Sequence, residues 1–212
     1  MRRPPLLPLV AVILLGVTAC KSNRAAKQDA PLTQAEAAFW PMKQNDIMRT
    51  GYALAPNLIE RPEIAWSAEV GVQTRHNSPV VTDSMVFVGS AGEVDGEPDE
   101  KDGVYAIDLI TGKQAWFSPS SGGDVYATSW LNGKLVVTGG AQGIWALDAR
   151  DGRVAWKLDA SEVGEAIASP LVLAEQDLAI VGTLAGDVLF IEGKSGNVRA
   201  RVSLPGEVRA GA

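Results

Sequence analysis

Asp102 to Trp116 reads DGVYAIDLITGKQAW, and Gln142 to Trp156 reads QGIWALDARDGRVAW. Laying Trp116 on Trp156 places Ala106 on Ala146, Asp108 on Asp148 and Gly112 on Gly152, so the pattern A-x-D-x-x-x-G-[K/R]-x-x-W occurs twice. A third copy, GDVLFIEGKSGNVRA, keeps an aliphatic residue at Ile191, an acid at Glu192 and the glycine at Gly196, with Ala200 where the tryptophan would stand. Upstream, Pro62-Glu63-Ile64-Ala65-Trp66 ends as the first two copies end, in Ala-Trp.

Trp66, Trp116 and Trp156 are 50 and 40 residues apart, and Ala200 follows Trp156 by 44. A period near 40, with an insertion in the first unit, holds four short strands and belongs to propeller blades. The first unit supplies SPVVT, MVFVG, GVYAID and QAWFS, with turns at Asp83-Ser84 and Thr111-Gly112. The second supplies ATSWL, KLVVTG, GIWALD and VAWKL, with turns at Asn132-Gly133 and Asp151-Gly152, pairs that tolerate the positive φ of tight hairpins. The third supplies SPLVL, LAIVGT, DVLFIE and VRARV, with turns at Gln176-Asp177 and Ser195-Gly196. Continuous β-branched runs such as LVV argue against helix and for strands buried on both faces between stacked blades. The fold class is therefore all-β, a propeller of four-stranded antiparallel blades over 62–212. It comprises about three blades plus an orphan outer strand ending at Trp66, an incomplete ring.

Composition agrees, with 46% hydrophobic residues, 22 glycines and 12 prolines over 212 residues, a globular chain that turns often. The net charge is -6, without a basic stripe, which excludes nucleic acid as a partner. The lone cysteine, Cys20, allows neither an internal disulfide nor a cysteine metal cluster.

Residues 1–19 have the layout of a secretory signal peptide, two arginines followed by an apolar stretch too short to span a bilayer. Val17-Thr18-Ala19-Cys20 then resembles the lipobox of bacterial lipoproteins, in which the cysteine is diacylated and its new amino terminus is acylated. Several acyl chains on Cys20 would hold a domain stably at a membrane surface. Lys21 and Ser22 follow, and by the same resemblance the absence of Asp after the cysteine directs the protein to the outer membrane, facing the periplasm. Residues 20–38 read as lipidated cysteine and polar tether, with a capping box at Thr33 and Glu36 that predicts a short helix to Phe39.

Residues 39–61 form an approach segment. Trp40-Pro41 followed by Arg49-Thr50-Gly51-Tyr52 resembles the stretch that precedes the first blade in proteins with pyrroloquinoline-quinone-like (PQQ-like) propeller repeats. The repeat pattern itself resembles the tryptophan-docking motif of the same quinoprotein-type propellers. The resemblance implies that Trp116 and Trp156, with Trp66, wedge against neighbouring blades near the small Ala106 or Ala146 and the glycine turns Gly112 and Gly152. It implies that Asp108 and Asp148 bond to backbone in their turns, and that Ala200 leaves the third unit without a wedge.

A lipobox joined to such blades resembles the BamB-like PQQ-repeat lipoproteins of outer-membrane β-barrel assembly. That resemblance implies a non-catalytic scaffold that binds protein partners through inter-strand loops, without cofactor or metal. The alternative is part of a PQQ-dependent quinoprotein dehydrogenase, though those enzymes typically carry adjacent cysteines, which cannot exist here. A ligand-sensing propeller is a third reading.

Other chemistry is poorly supported. His76 is the single histidine, no G-x-S-x-G elbow accompanies any serine, and no phosphate-cradling loop is present. In the first-unit insertion Asp95, Glu97 and Asp99 alternate, but Glu100 stands where an EF-hand needs glycine and Ala106 where it needs Glu, so a solvated loop is expected. Gly206-Glu207-Val208-Arg209-Ala210 resembles the lead-in GEAIA before the third unit, and three blades with an orphan strand cannot close a ring. The chain is thus expected to be the amino-terminal part of a longer protein, with Pro62–Val70 completing the last blade.

Overall fold

The computed structural model describes residues 39–52, 63–74, 76–120 and 123–209. Cys20, the signal segment, the tether with its capping box, and the part of the approach segment beyond Tyr52 lie outside the described residues.

Among the described residues, twelve strands form three separate four-stranded sheets, each in sequential order and wholly antiparallel. Blade 1 holds β1 (Val80–Val81), β2 (Met85–Ala91), β3 (Asp102–Asp108) and β4 (Gln114–Pro119). Blade 2 holds β5 (Ala127–Leu131), β6 (Lys134–Thr138), β7 (Ile144–Asp148) and β8 (Val154–Leu158). Blade 3 holds β9 (Leu171–Leu173), β10 (Leu178–Gly182), β11 (Asp187–Glu192) and β12 (Val198–Ser203). A one-turn helix, α1 (Ala160–Val163), lies on the connection from blade 2 to blade 3. The first strands neighbour one another, β1 against β5 and β5 against β9, so the sheets fan out as propeller blades do.

Local chemistry sets each hairpin. Leu131 pairs with Lys134 across Asn132 and Gly133, whose φ values of 49° and 84° are both left-handed, the conformation a two-residue hairpin with right-handed twist requires. One irregularity is repeated in all three blades: the pairing of third and fourth strands slips between Ala106 and Ile107, between Ala146 and Leu147, and between Phe190 and Ile191. The extra residues are Ala115, Ala155 and Arg199, each just before the repeat's Trp or Ala, so the Ala of the Ala-Trp pair in blades 1 and 2 is a bulge position.

The core lies between blades. One cluster joins Val80, Phe87 and Val104 of blade 1 to Leu135, Val137 and Leu147 of blade 2. Another joins Leu131, Val136 and Ile144 of blade 2 to Val172, Val181 and Leu189 of blade 3. The second and third strands of blades 1 and 2 are therefore buried on both faces, which is why they read as unbroken apolar runs, whereas in blade 3 buried residues alternate with partly exposed ones. All six residues of β12 are exposed.

Two segments outside the blades complete the described structure. Trp40 forms an antiparallel bridge with Val81 of β1, the Pro41 carbonyl accepts the Trp130 N–H of β5 at 2.6 Å, and buried Met42 joins the cluster between blades 2 and 3. Arg49 donates to the Lys43 carbonyl at 3.1 Å and to the Ser169 carbonyl, just before β9, at 3.4 Å. The approach segment thus ties the leading strands of all three blades together. Residues 63–70 are not part of a strand ladder among the described residues, but Trp66 and Val70 pack on Val86, Val88 and Ile107 and cover the outer flank of blade 1.

At the other end, the Val208 N–H donates to the Thr183 carbonyl at 2.9 Å, just as the Val125 N–H donates to the Ser90 carbonyl at 3.1 Å. Val208 therefore occupies on blade 3 the place that Val125, the lead-in to blade 2, occupies on blade 1.

Candidate functional site

The repeat residues meet at the turns between third and fourth strands. Each tryptophan reaches forward onto the next unit: Trp66 onto Gly112 of blade 1, Trp116 onto Gly152 of blade 2, and Trp156 onto Gly196 of blade 3. A Cβ built on Gly112 would lie 2.6 Å from the Trp66 ring, on Gly152 2.6 Å from Trp116, and on Gly196 2.7 Å from Trp156. These glycines serve twice, since their φ values of 68°, 72° and 78° are left-handed and their missing side chains let the ring touch backbone. Each indole N–H donates to a carbonyl of the same turn: Trp66 to Leu109 at 3.0 Å, Trp116 to Ala149 at 3.2 Å and Trp156 to Gly193 at 2.8 Å.

Ala106 and Ala146 lie directly across the strand pair from Trp116 and Trp156. In blade 3 the sizes are exchanged, Phe190 standing opposite Ala200, so the aromatic has moved to the neighbouring strand. Gly196, absent from the sequence-derived set, is as full a dock as Gly112. Its signal was present in the third copy of the repeat and was obscured by the missing tryptophan at Ala200.

The acid that opens each turn is engaged within it. Asp108 Oδ1 accepts the Thr111 N–H at 2.7 Å, the Thr111 hydroxyl at 2.8 Å and the Ile110 N–H at 3.1 Å, and these bonds hold its carboxyl below the usual range. The Arg150 guanidinium, 2.6 Å from Asp148 Oδ2, together with the Arg150 N–H, holds Asp148 lower still. Glu192 is lowered by the Ser195 hydroxyl and then by its ion pair with Arg199. All three are ionised structural groups at neutral pH.

The opposite end of blade 1 carries the insertion. Residues 93–98 are exposed as the sequence led one to expect, but the flanks are anchored. Asp99 Oδ2 accepts the Glu93 N–H at 2.5 Å and Asp99 Oδ1 the Lys101 N–H at 2.7 Å. Fully buried Asp102 accepts the Asp99 N–H at 3.0 Å, and Asp124, leading into blade 2, accepts the Gly96 N–H at 3.0 Å. The other oxygen of both Asp102 and Asp124 is buried without a partner, and burial pushes both carboxyls up. Sequence reasoning missed this pair: Asp102 opens the first copy but stands ahead of the shared pattern, and Asp124 is 22 residues further on, outside it.

On the hairpin end, blades 1 and 2 enclose a cleft of about 570 Å³. Its floor is Met85, Phe87 and Trp130, and its rim carries Asp83, Lys134 and Arg150. Phe87 stacks with Trp130 at a ring separation of 6.1 Å and meets the Trp116 wedge at 5.7 Å with the rings tilted by 37°.

A family model described as outer membrane protein assembly factor BamB, built on PQQ-type repeats, matches residues 58–211. The chain belongs to this family. Among curated proteins it is similar to the lanthanide-dependent methanol dehydrogenase of Methylacidiphilum fumariolicum (strain SolV), 27% identical over 193 residues, which are 81% of this chain and 30% of that protein. Among solved structures it is similar to a europium-containing methanol dehydrogenase, with a TM-score of 0.62 at 23% identity over 79% of this chain and 32% of the other. It is also similar to the quinohemoprotein alcohol dehydrogenase from Comamonas testosteroni, with a TM-score of 0.62 at 20% identity over 84% and 30% of the two chains. At such identities the structural likeness shows the fold, and the chain spans about a third of the length of these relatives.

Metal-dependent relatives raise the question of fit. Among the described residues no three His, Asp or Glu side chains converge on a point a metal could occupy, and Asp102 and Asp124 supply two buried carboxylates at most. This donor set does not make a resident metal centre.

Proposed function

We propose that this chain is a lipid-anchored propeller of the bacterial cell envelope that acts as a non-catalytic protein-binding scaffold, as in outer-membrane protein assembly. The observation that carries the reading is the engagement of the repeat carboxylates. Asp108, Asp148 and Glu192 are each bonded into their own turns and held ionised, so the conserved geometry of the repeats builds a stack of blades and leaves loops and clefts as the variable surface. The lipobox at Cys20 supplies the membrane attachment, on the outer membrane facing the periplasm, and the family model supplies the assembly context.

Two measurements test it. Radiolabelled palmitate should enter the wild-type protein and be lost in Cys20→Ser, while co-purification from detergent-solubilised membranes should recover a stoichiometric protein partner. Recovery of no partner by the wild type would count against the scaffold.

A second reading, part of a quinoprotein dehydrogenase, is favoured by the similarity to the methanol dehydrogenase across 81% of this chain. Titration with PQQ and Ca²⁺ followed by absorbance separates the two, since a stoichiometric spectral change would favour the enzyme.

A further inference from the structure

The interfaces between blades 1 and 2 and between blades 2 and 3 follow one plan, yet one is filled on the hairpin end and the other is open. Between blades 2 and 3, fully buried Leu131 packs so closely that a Cβ built on Gly193 would lie 2.5 Å from its side chain. Asn132 then ties the hairpins together, donating to the Ala174 carbonyl at 2.9 Å and to Asp177 Oδ1 at 3.0 Å. The equivalent of Leu131 in blade 1 is Thr82, since each stands at the last pairing before its hairpin. Thr82 is shorter, and its hydroxyl is turned back to accept the Met85 N–H at 3.1 Å. Gly193 is replaced in blade 2 by Ala149, and no side-chain bond spans the two hairpins among the described residues. The cleft of about 570 Å³ opens beside buried Thr82, at the position that Leu131 takes one interface further on, and has room for more than one leucine side chain. That volume is in the range of sites that bind small groups.

We propose that this cleft is the docking site for a protein partner that inserts one branched aliphatic side chain onto Trp130 and sets an adjacent carboxylate against Lys134. The molecule itself supplies the template for the side chain, because Leu131 occupies the corresponding position between blades 2 and 3. Charge complementarity supplies the carboxylate. Arg150 on the same rim takes up the Asp148 carboxylate at 2.6 Å, and Lys134, half-buried at the mouth across the strand pair from Asp148, has no acid of its own within ion-pair distance among the described residues. Trp130 lies outside the repeat pattern, and its ring stacks on Phe87 where both line the opening. The inference rests on the scaffold reading and names the surface that reading requires.

The test uses the full chain in detergent and the probe 4-methylpentanoate, which joins a leucine-like body to a carboxylate. Indole N–H signals are followed by NMR, the Trp130 signal being assigned with Trp130→Phe. A saturable shift of the Trp130 signal is expected. Thr82→Leu copies the filled interface and should abolish the shift, and Lys134→Gln should weaken binding by up to about fivefold, the scale of one exposed charge pair. The neutral 4-methylpentanamide should bind both Lys134 forms equally. Absence of a Trp130 shift in the wild type, whether because another stretch of the chain fills the cleft or because nothing binds, overturns the proposal, as does an unchanged shift in Thr82→Leu. In membranes, loss of the co-purified partner in Thr82→Leu supports it. A partner retained by Thr82→Leu docks elsewhere, which overturns the cleft and leaves the scaffold standing. No partner with the wild type refutes the scaffold, and with it the docking role, even where the probe binds.

Discussion

If the glycine turns exist to receive tryptophan, a methyl group at Gly152 must do more harm than the same methyl at a glycine with open space around it. Gly133 provides the comparison. Its φ of 84° is close to the 72° of Gly152, so alanine at either position meets the same left-handed backbone cost, about 1 to 2 kcal/mol. A Cβ on Gly133 meets nothing within 4 Å, whereas on Gly152 it lies 2.6 Å from the Trp116 ring. Restoring an ordinary carbon separation of about 3.5 Å needs a displacement of about 1 Å. The ring cannot yield freely, because its N–H is bonded to the Ala149 carbonyl of the same turn at 3.2 Å. Overpacking of this kind adds about 1 to 3 kcal/mol. Gly133→Ala should therefore cost about 1 to 2 kcal/mol and Gly152→Ala about 2 to 5 kcal/mol, read from urea unfolding followed by far-ultraviolet circular dichroism. In the Trp116→Ala background the extra cost at residue 152 should vanish, a non-additivity of about 1 kcal/mol or more. Equal destabilisation by the two alanines, or strict additivity with Trp116→Ala, would refute the docking argument.

Three further outcomes are expected. Trp156→Ala should destabilise by about 3 to 5 kcal/mol through cavity formation, while Trp156→Phe, which keeps an aromatic face but loses the bond to the Gly193 carbonyl, should lose less, as urea midpoints will report. Asp108, Asp148 and Glu192 have folded pKa values below their unfolded ones, so their contribution is complete above the unfolded carboxylate range and is lost as pH falls through the folded values. Asp148→Asn should flatten that acid limb in midpoints measured from pH 7 down to about pH 3. Asp102 and Asp124 have the opposite sign: their raised folded pKa values make stability fall as pH rises from the unfolded value of about 3.9 through the folded ones. Asp124→Asn keeps a carbonyl oxygen for the Gly96 N–H and should raise the neutral-pH melting temperature relative to its value at acid pH, more than it does for Asp83→Asn.

How much was legible along the chain follows from where each signal is encoded. The spacing of Trp66, Trp116 and Trp156 gave the blades, and the hairpins at Asn132-Gly133 and Asp151-Gly152 gave their internal turns, because the backbone there depends on residues a few positions apart. The Ala-Trp dipeptide was visible as a repeat, but the bulge that places Ala115 and Ala155 out of register was not, since a strand slip is a property of the pair. Gly196 was noted as a copy of the motif while its role as the seat of Trp156 stayed hidden. Trp130 and Thr82 carried no signal at all, being departures from the repeat whose effect depends on what lies opposite.

From the sequence alone, the chain determines an all-β blade plan and the identity of the wedge residues. These follow from period, turn chemistry and local patterning, which act over a few residues at a time. Only the tertiary structure decides that each tryptophan seats on the glycine of the following blade, that the buried carboxylates of Asp102 and Asp124 anchor the same exposed loop, and that Leu131 closes one interface while Thr82 leaves the other open. Packing between blades is non-local: the fate of a side chain there depends on the volume and hydrogen-bonding groups presented by a strand some 40 residues away, and that is fixed when the sheets stack.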